Sequence, residues 1–376
     1  MIYFDNASTT KIDDRLLKTY ESLLSRYFAN PSALHRLGRE VNRLQDKSRD
    51  QILKTLHYPE GKVIFTSSAT EANNLALIGL FLNYRSRGQE IILSPYEHPS
   101  VYRVAAYLKD SYGAVLKFCH LTPTGAIDLT HLKSLLTSET LLVSIMAVNN
   151  EIGALNDLKA IKEVLVSFPK VIFHSDITQA IGKVEIPLQA VDAFSFSAHK
   201  IYGLKGSGAL VIHQRLTLAP LIYGGEQEDG LRAGTSNAPA NILLAQTVRL
   251  ACEAVDEHYV VVHELYQHLE MLLLKHPTLF HINSNGLFPY ILNFSSLKVK
   301  ASVVLNALEN EDIFIGTTSS CSAKLHEPSR AIMALTGNIN DANQALRVSF
   351  SPLNTIAEVD VFYERLLTII EGAKHE

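Results

Sequence analysis

Short apolar runs rich in β-branched and aromatic residues recur at Val63-Ile64-Phe65, Ile91-Ile92-Leu93, Leu141-Leu142-Val143-Ser144-Ile145, Val171-Ile172-Phe173 and Leu210-Val211-Ile212, with helix-length amphipathic stretches between many of them. That alternation predicts a largely parallel sheet covered by helices on both faces. The spacing of Leu158, Ile161, Val164, Leu165 and Phe168 predicts a helix over 158–168, and a longer helix is predicted from about 242 toward 262 as a bridge between domains. Beyond it, the run Ile291-Leu292-Asn293-Phe294 and helical patterns over 302–308 and 356–370 predict a smaller α+β unit. Neither internal repeats nor low-complexity segments interrupt this order.

Composition narrows the class. With 376 residues and 47% hydrophobic content the chain exceeds the size at which a single core stops growing, so two packed domains are expected. A net charge of only −4, with no long basic or acidic run, argues against nucleic acid and membrane surfaces and favours a small-molecule substrate. The N-terminal Met1-Ile2-Tyr3-Phe4-Asp5-Asn6 lacks the charged-then-apolar pattern of a leader, and no apolar run approaches the roughly 18 residues of a membrane span, so the chain reads as cytoplasmic and complete. Cys119, Cys252 and Cys321 are too few and too scattered for a disulfide framework or a zinc site, which leaves only free-thiol chemistry.

In open α/β sheets ligands sit outside the carboxyl ends of the strands, so the polar residues after each apolar run are the candidate site. Phe194-Ser195-Phe196-Ser197-Ala198-His199-Lys200, ahead of a glycine-rich stretch, puts one amine at an apolar strand end beside a hydroxyl and an imidazole. Desolvation there would lower the Lys200 pKa toward Schiff-base use, with Ser197 and His199 placed for an anionic phosphate; the alternative is a solvated strand cap. The hydroxyl-rich turn from Thr66 to Thr70 enters a helix whose free N–H groups suit a phosphate, or simply an N-cap. His98, before Pro99, suits stacking on an aromatic cofactor or proton shuttling, against the ordinary solvated loop histidine. The amides of Asn149 and Asn150 would meet a ring substituent or only shape a turn. Asp176 would stay ionised beside a protonated heteroaromatic nitrogen, with Gln179 near a phenolic oxygen, or would cap the next helix. Together these groups make the set that a pyridoxal 5′-phosphate site requires.

Eight ordered motifs carry a resemblance that runs nearly end to end: Tyr3 to Thr10, Asn30 to His35, Ser68 to Asn74, Glu97-His98, Asn149 to Gly153, Asp176 to Gln179, Ser197 to Lys200 and Arg232 to Thr235. The chain resembles NifS-type cysteine desulfurases, within the fold-type I, class V aminotransferase-like pyridoxal phosphate enzymes. The resemblance implies an α/β fold: a large domain over 15–255, with a mostly parallel seven-stranded sheet sandwiched by helices, and a smaller α+β C-terminal domain. Residues 1–14 and 256–376 would form that smaller domain and carry the catalytic cysteine loop. Lys200 would hold the cofactor as a Schiff base and then act as base, Asp176 would pair with the pyridine nitrogen, and Gln179 and Asn150 would approach the ring oxygen. His98 would stack on the ring and carry protons. Ala69, Thr70, Ser197 and His199 would hold the phosphate, helped by Thr235 from a second subunit, so a homodimer is implied. Arg347 would grip the carboxylate of L-cysteine, with Asn150 also facing the substrate; a surface ion pair is the alternative for this arginine.

Cys321 lies in the polar, small-residue run Gly316-Thr317-Thr318-Ser319-Ser320-Cys321-Ser322-Ala323-Lys324, whereas Cys119 and Cys252 sit in apolar settings typical of inert core thiols. By resemblance Cys321 is the nucleophile that takes the sulfur as a persulfide, releasing alanine and passing sulfur to an acceptor protein for iron–sulfur cluster assembly or tRNA thiolation. Its loop matches the group with a long mobile arm. The chain departs from the family where Thr318-Ser319-Ser320 replaces a glycine, where Glu226 and Asp229 add charge, where Leu204 replaces a proline, and where Ile177 replaces an alanine expected beside the cofactor. The rival functions are a selenocysteine lyase or other class V enzyme on the same scaffold, and an inactive desulfurase-like interaction protein.

Overall fold

A computed structural model describes residues 1–317 and 328–372. In chain order its elements are β1 (Ile2–Phe4), α1 (Asp14–Arg26), α2 (Arg36–Thr55), β2 (Gly61–Thr66), α3 (Ala69–Tyr84), β3 (Glu90–Leu93), α4 (Pro99–Tyr112), β4 (Val115–Phe118), α5 (Leu129–Leu135), β5 (Thr140–Ser144), α6 (Leu158–Leu165), β6 (Ile172–Asp176), β7 (Ala193–Ser197), β8 (Gly208–His213), α7 (Ala238–Glu253), α8 (Val255–Leu274), β9 (Phe280–Ile282), β10 (Ile291–Ser296), α9 (Ala301–Glu309), β11 (Ile313–Ile315), α10 (Arg330–Thr336), α11 (Ile339–Gln344), β12 (Ala345–Ser349) and α12 (Ile356–Gly372).

The five strand runs predicted between Val63 and Ile212 all enter one seven-stranded sheet of order β2-β8-β7-β6-β5-β3-β4. The strands from β4 to β7 pair in parallel, and β8 runs antiparallel to both β7 and β2. Period-two alternation buries both faces. Ile64, Ile91, Leu93, Leu142, Leu210 and Ile212 face one core with residues of α3 and α4, while Val63, Phe65, Ile92, Val143, Phe173, Phe194, Phe196 and Val211 face the other. Each of these large side chains contributes about 1.5–3 kcal/mol by leaving water. Helix α3 is buried nearly all round, with Leu75, Leu77, Leu80 and Phe81 fully enclosed, which is how its N-terminus comes to rest against the carboxyl end of β7.

Two helices differ from the periodicity. The helix predicted over 158–168 stops at Leu165, and Phe168 instead closes a turn onto the Leu165 carbonyl. The segment expected as one helix over 242–262 is two, broken at Ala254 (φ −98°, ψ 6°), with α8 restarting on Asp256 and Glu257 in its first turn, where acidic groups favour a new N-terminus.

The C-terminal elements form a three-stranded antiparallel sheet, β12-β10-β9, and a parallel pair of β1 with β11. The first strand of the chain is thus stapled onto its last third: Ile2 registers with Ile313, and the Ser349 hydroxyl accepts from Ala7 N–H (2.8 Å) and donates to Phe4 O (3.0 Å). Among the described residues, no helix is long and apolar enough to cross a membrane.

Candidate active site

One cavity of about 230 Å³ opens at the carboxyl ends of β5, β6 and β7, lined by residues that include Ala69, Thr70, His98, Asn150, Asp176, Gln179, Ser197, His199, Lys200 and Arg347. Ten of the twelve residues singled out from the sequence therefore meet in it.

Its first end is built from helix α3. Ser68 caps the helix, and the first helical N–H, that of Ala69, donates to Ser197 Oγ at 2.6 Å. This close approach of β8 to the Ser68 turn depends on Gly208, where a Cβ would fall 2.6 Å from Phe196 O and 2.9 Å from Ser68 backbone. The N-terminus of α3 with Thr70, Ser197 and His199 around it is an anion cradle. Burial, then the charges of Lys200 and Lys205, pushes the His199 pKa down to about 4, so it meets an anion as a neutral donor.

A buried relay crosses the middle of the cavity. Asp176 accepts from Asn73 Nδ2 (2.7 Å) and from Thr178 N–H (2.9 Å). The second Asn73 amide hydrogen goes to Ser100 Oγ (2.9 Å), and that hydroxyl lies 2.8 Å from His98 Nδ1, which also accepts the Ser100 N–H at 3.2 Å. His98, the N-cap of α4, is thereby held with Nδ1 as acceptor and Nε2–H as its remaining donor. Burial lowers its pKa against the pull of Asp176 and with the push of Lys200. Asn73 carried a signal in the sequence only as a member of the Ser68 to Asn74 motif, and Ser100 lies in none of the motifs.

At the other end, residues far apart in the chain converge. Lys200 Nζ donates to the carbonyls of Ala7 and Ser8, each at 2.6 Å. Arg347, 2% exposed rather than a surface ion pair, gives Nη2 to Asp5 Oδ1 (2.7 Å) and Ser8 Oγ (2.9 Å) and Nη1 to Asn150 O (2.9 Å). A Cβ at 316 would fall 2.6 Å from Arg347 Nη2 and 2.7 Å from Asp5 Oδ1, so a larger residue there would have to displace this ion pair. An amine and a guanidinium are therefore both anchored on Ser8. Ala7, Ser8 and Asp5 belong to the N-terminal motif, yet nothing local in it says that it closes a cavity.

Other expectations change. Asn149 and Asn150 do not act as a pair: Asn149 Oδ1 accepts the Glu151 and Ile152 N–H groups and shapes the turn, leaving Asn150 alone in the cavity. Ile177 is fully enclosed in the main core, not beside the cavity, because alternation turns it away between Asp176 and Thr178. Leu204 packs beside α1 and α7. Asp229 pairs with Lys62 (2.8 Å), so its added charge is matched locally. Thr235 lines a separate recess of about 210 Å³ with Ser67 and Gly206. Its loop is tied to α3 by Arg232 Nε on Glu71 Oε1 (2.8 Å). Cys321 lies outside the described residues. The thiols of Cys119 and Cys252 are pushed up by burial to about 12 and about 11, which keeps both protonated at neutral pH.

The donor set fits pyridoxal 5′-phosphate: an anion cradle, a buried carboxylate, an imidazole and an amine line one cavity, and two buried groups there, Thr178 Oγ1 and Arg347 Nε, have no hydrogen-bond partner among the described residues. A mostly parallel sheet with an amine and a carboxylate at adjacent strand ends gives the class: an α/β enzyme with its site at the carboxyl edge of the sheet. Residues 2–362 match the aminotransferase class-V family, and the chain belongs to it. It is 36% identical to a NifS/IcsS protein homolog of Lactobacillus delbrueckii subsp. bulgaricus over 96% of this chain and 95% of that one. It is 32% identical to the cysteine desulfurase IscS of Dictyoglomus turgidum, covering 98% and 94%. A solved NifS-like protein superposes with a TM-score of 0.91 at 31% identity, covering 99% of each chain.

Proposed function

We propose that the chain is a cysteine desulfurase that takes sulfur from L-cysteine as a persulfide on Cys321 and releases L-alanine. The observation that carries this reading is the shared anchor on Ser8: Lys200 Nζ lies on its carbonyl and Arg347 Nη2 on its hydroxyl, and an amine beside a guanidinium supports an α-amino acid as substrate. The names of the relatives support cysteine as that amino acid.

When bound, pyridoxal 5′-phosphate supplies an aldehyde for Schiff-base formation and a ring that accepts an electron pair. Ala69, Thr70, Ser197 and His199 would hold its phosphate, Asp176 its ring nitrogen, Gln179 and Asn150 its ring oxygen, and His98 its face. Arg347 binds the substrate carboxylate, with the guanidinium shared between that carboxylate and Asp5. Lys200, once its amine is free, takes the Cα proton. The Cys321 thiolate attacks the substrate sulfur: an S–S bond forms, the C–S bond breaks, and its electron pair stays with the carbon fragment. That fragment takes up two protons, one at Cβ with His98 as carrier and one returned to Cα by Lys200, and leaves as alanine, so no external oxidant enters.

A second copy of the chain would bring its Thr235 to this cavity, which is supported by that residue standing outside the cavity of its own subunit. Residues 1–14 with 256–376 form the smaller unit against 15–255 in this reading, supported by the hydrogen bonds of Asn6 and Ala7 to Ser349. An acceptor protein then draws sulfur from Cys321.

The test is sulfide and alanine release from L-cysteine under reductant, with Schiff-base absorbance recorded in wild type, Cys321→Ala and Lys200→Ala. Equal sulfide and alanine are expected from the wild type. Both variants lose sulfide by more than about a hundredfold, and only Lys200→Ala loses the Schiff-base band. A band without sulfide in the wild type would exclude the desulfurase reading.

A further inference from the structure

One cation near the cavity has no part in the chemistry above. Lys183, 5% exposed, lies in the turn four residues after Gln179, and its Nζ donates to Gln179 Oε1 at 3.0 Å. The Tyr290 ring also faces it, with its centroid 5.7 Å away and its hydroxyl buried with no hydrogen-bond partner among the described residues. Burial, then the charges of Lys200 and Arg347, brings the Lys183 pKa down to about 7. The charged and titratable groups around it are thus Lys200, Arg347 and the Asp5 that pairs with it, Asp176 across the cavity, and Tyr290, itself near Tyr202 and Tyr259.

A buried amine with one hydrogen-bond acceptor is costly to keep, so what it does for that acceptor matters. The Gln179 amide can sit in two orientations that fill the same space. In the observed one, Oε1 receives the Lys183 donor and Nε2 donates to Ala7 O at 2.9 Å, the same carbonyl that receives Lys200 Nζ. A flipped amide would set Nε2 against the Lys183 donor and Oε1 against the Ala7 carbonyl, a repulsive contact at each end. With the flip excluded and Oε1 occupied, the hydrogen left to Gln179 on the cavity side is on its nitrogen.

We propose that Lys183 is a positioning residue that locks Gln179 as a hydrogen-bond donor toward the cavity, so that the site selects a ligand bearing an anionic oxygen at that point. It acts through Gln179 and does not touch the ligand. The inference rests on the desulfurase reading for the identity of that ligand, with the ring oxygen of pyridoxal 5′-phosphate as the anionic group.

The test reconstitutes the full-length protein with pyridoxal 5′-phosphate or with its 3-deoxy analogue, which lacks the ring hydroxyl. Dissociation constants and the pH titration of the Schiff-base absorbance are measured for wild type, Lys183→Met, Gln179→Leu and the double variant. Lys183→Met is expected to weaken pyridoxal 5′-phosphate about tenfold, to leave the 3-deoxy analogue unchanged, and to move the Schiff-base titration to higher pH, because a donor and a positive charge are both withdrawn. The double variant should match Gln179→Leu. Lys183→Gln, which keeps a donor for Gln179 Oε1 without the charge, should retain the preference for the hydroxyl-bearing ligand, and it carries the test if the methionine variant does not fold. Equal weakening of both ligands, an unchanged titration, or a double variant worse than Gln179→Leu would overturn the inference while leaving the desulfurase reading intact. A wild-type protein that forms no Schiff-base band with either ligand would overturn both.

Discussion

The two walls of the cavity are made differently. The sheet wall, Asp176, Ser197 and Lys200 with the N-terminus of α3, consists of strand ends whose positions follow from β6 and β7 lying side by side in a fully buried sheet. The opposite wall, Asp5, Ala7, Ser8 and Arg347, joins the N-terminal segment of the chain to β12 across more than 340 positions, through the Arg347 guanidinium, the Ser349 hydroxyl and the Asn6 amide on the Ser349 carbonyl. A wall held by a sheet tolerates local changes in charge. A wall held by a few long-range polar contacts makes binding and stability depend on the same atoms.

That contrast can be broken experimentally. Arg347→Ala removes the proposed carboxylate receptor and strands the Asp5 carboxylate, which is only partly solvated. We expect kcat/KM for L-cysteine to fall by about a hundredfold to a thousandfold and the denaturation midpoint to fall with it. Adding Asp5→Asn should recover stability without recovering activity, read as a double-mutant cycle of urea midpoints against kinetics. Lost activity at unchanged stability would mean that the far wall is as independently held as the sheet.

The sheet wall has its own pH signature. His174 is fully buried between Ser144 Oγ (2.9 Å) and Ser195 Oγ (3.1 Å), and burial, partly offset by Asp176, holds its pKa near 4, down from 6.5. Between those values the unfolded chain binds a proton that the folded one does not. The contribution is therefore whole above pH 6.5 and is lost as pH falls toward 4. Urea midpoints should drop by an equivalent of about 1–2 kcal/mol between pH 7 and 5, and His174→Gln should flatten that slope. His199 titrates in the same direction over the same window. The smallest effect is expected at the far wall's serine. Ser349→Ala removes one acceptor and one donor at Ala7 and Phe4, for a loss of about 1 kcal/mol in chemical denaturation, with a modest weakening of cofactor retention through Ala7.

Legibility followed the same division. Lys200, Asp176, His98 and the α3 turn could be picked out because each stands at the end of an apolar run, where turn chemistry and helix capping act over a few residues. Arg347 could not be assigned from its surroundings, since Leu346-Arg347-Val348 reads equally as an edge strand with a solvated charge; its role came from resemblance alone. The pairing expected of Asn149 and Asn150 failed because one amide was consumed by its own turn, and Ile177 left the cofactor side because strand alternation outranks adjacency in sequence. Lys183 carries no local signal, because a lysine two residues after an isoleucine reads as surface until its burial is known.

By itself, then, the sequence determined the elements, the two-faced sheet and the chemical identities at its strand ends, because periodicity, capping and turn preferences are local forces. Tertiary structure alone decided that Ser8 would carry both Lys200 and Arg347, that Asn73 would link Asp176 to His98, and that Lys183 would face Gln179. Those contacts join segments whose neighbours in the chain are indifferent to them, and they arise only when burial forces each polar group to find a partner.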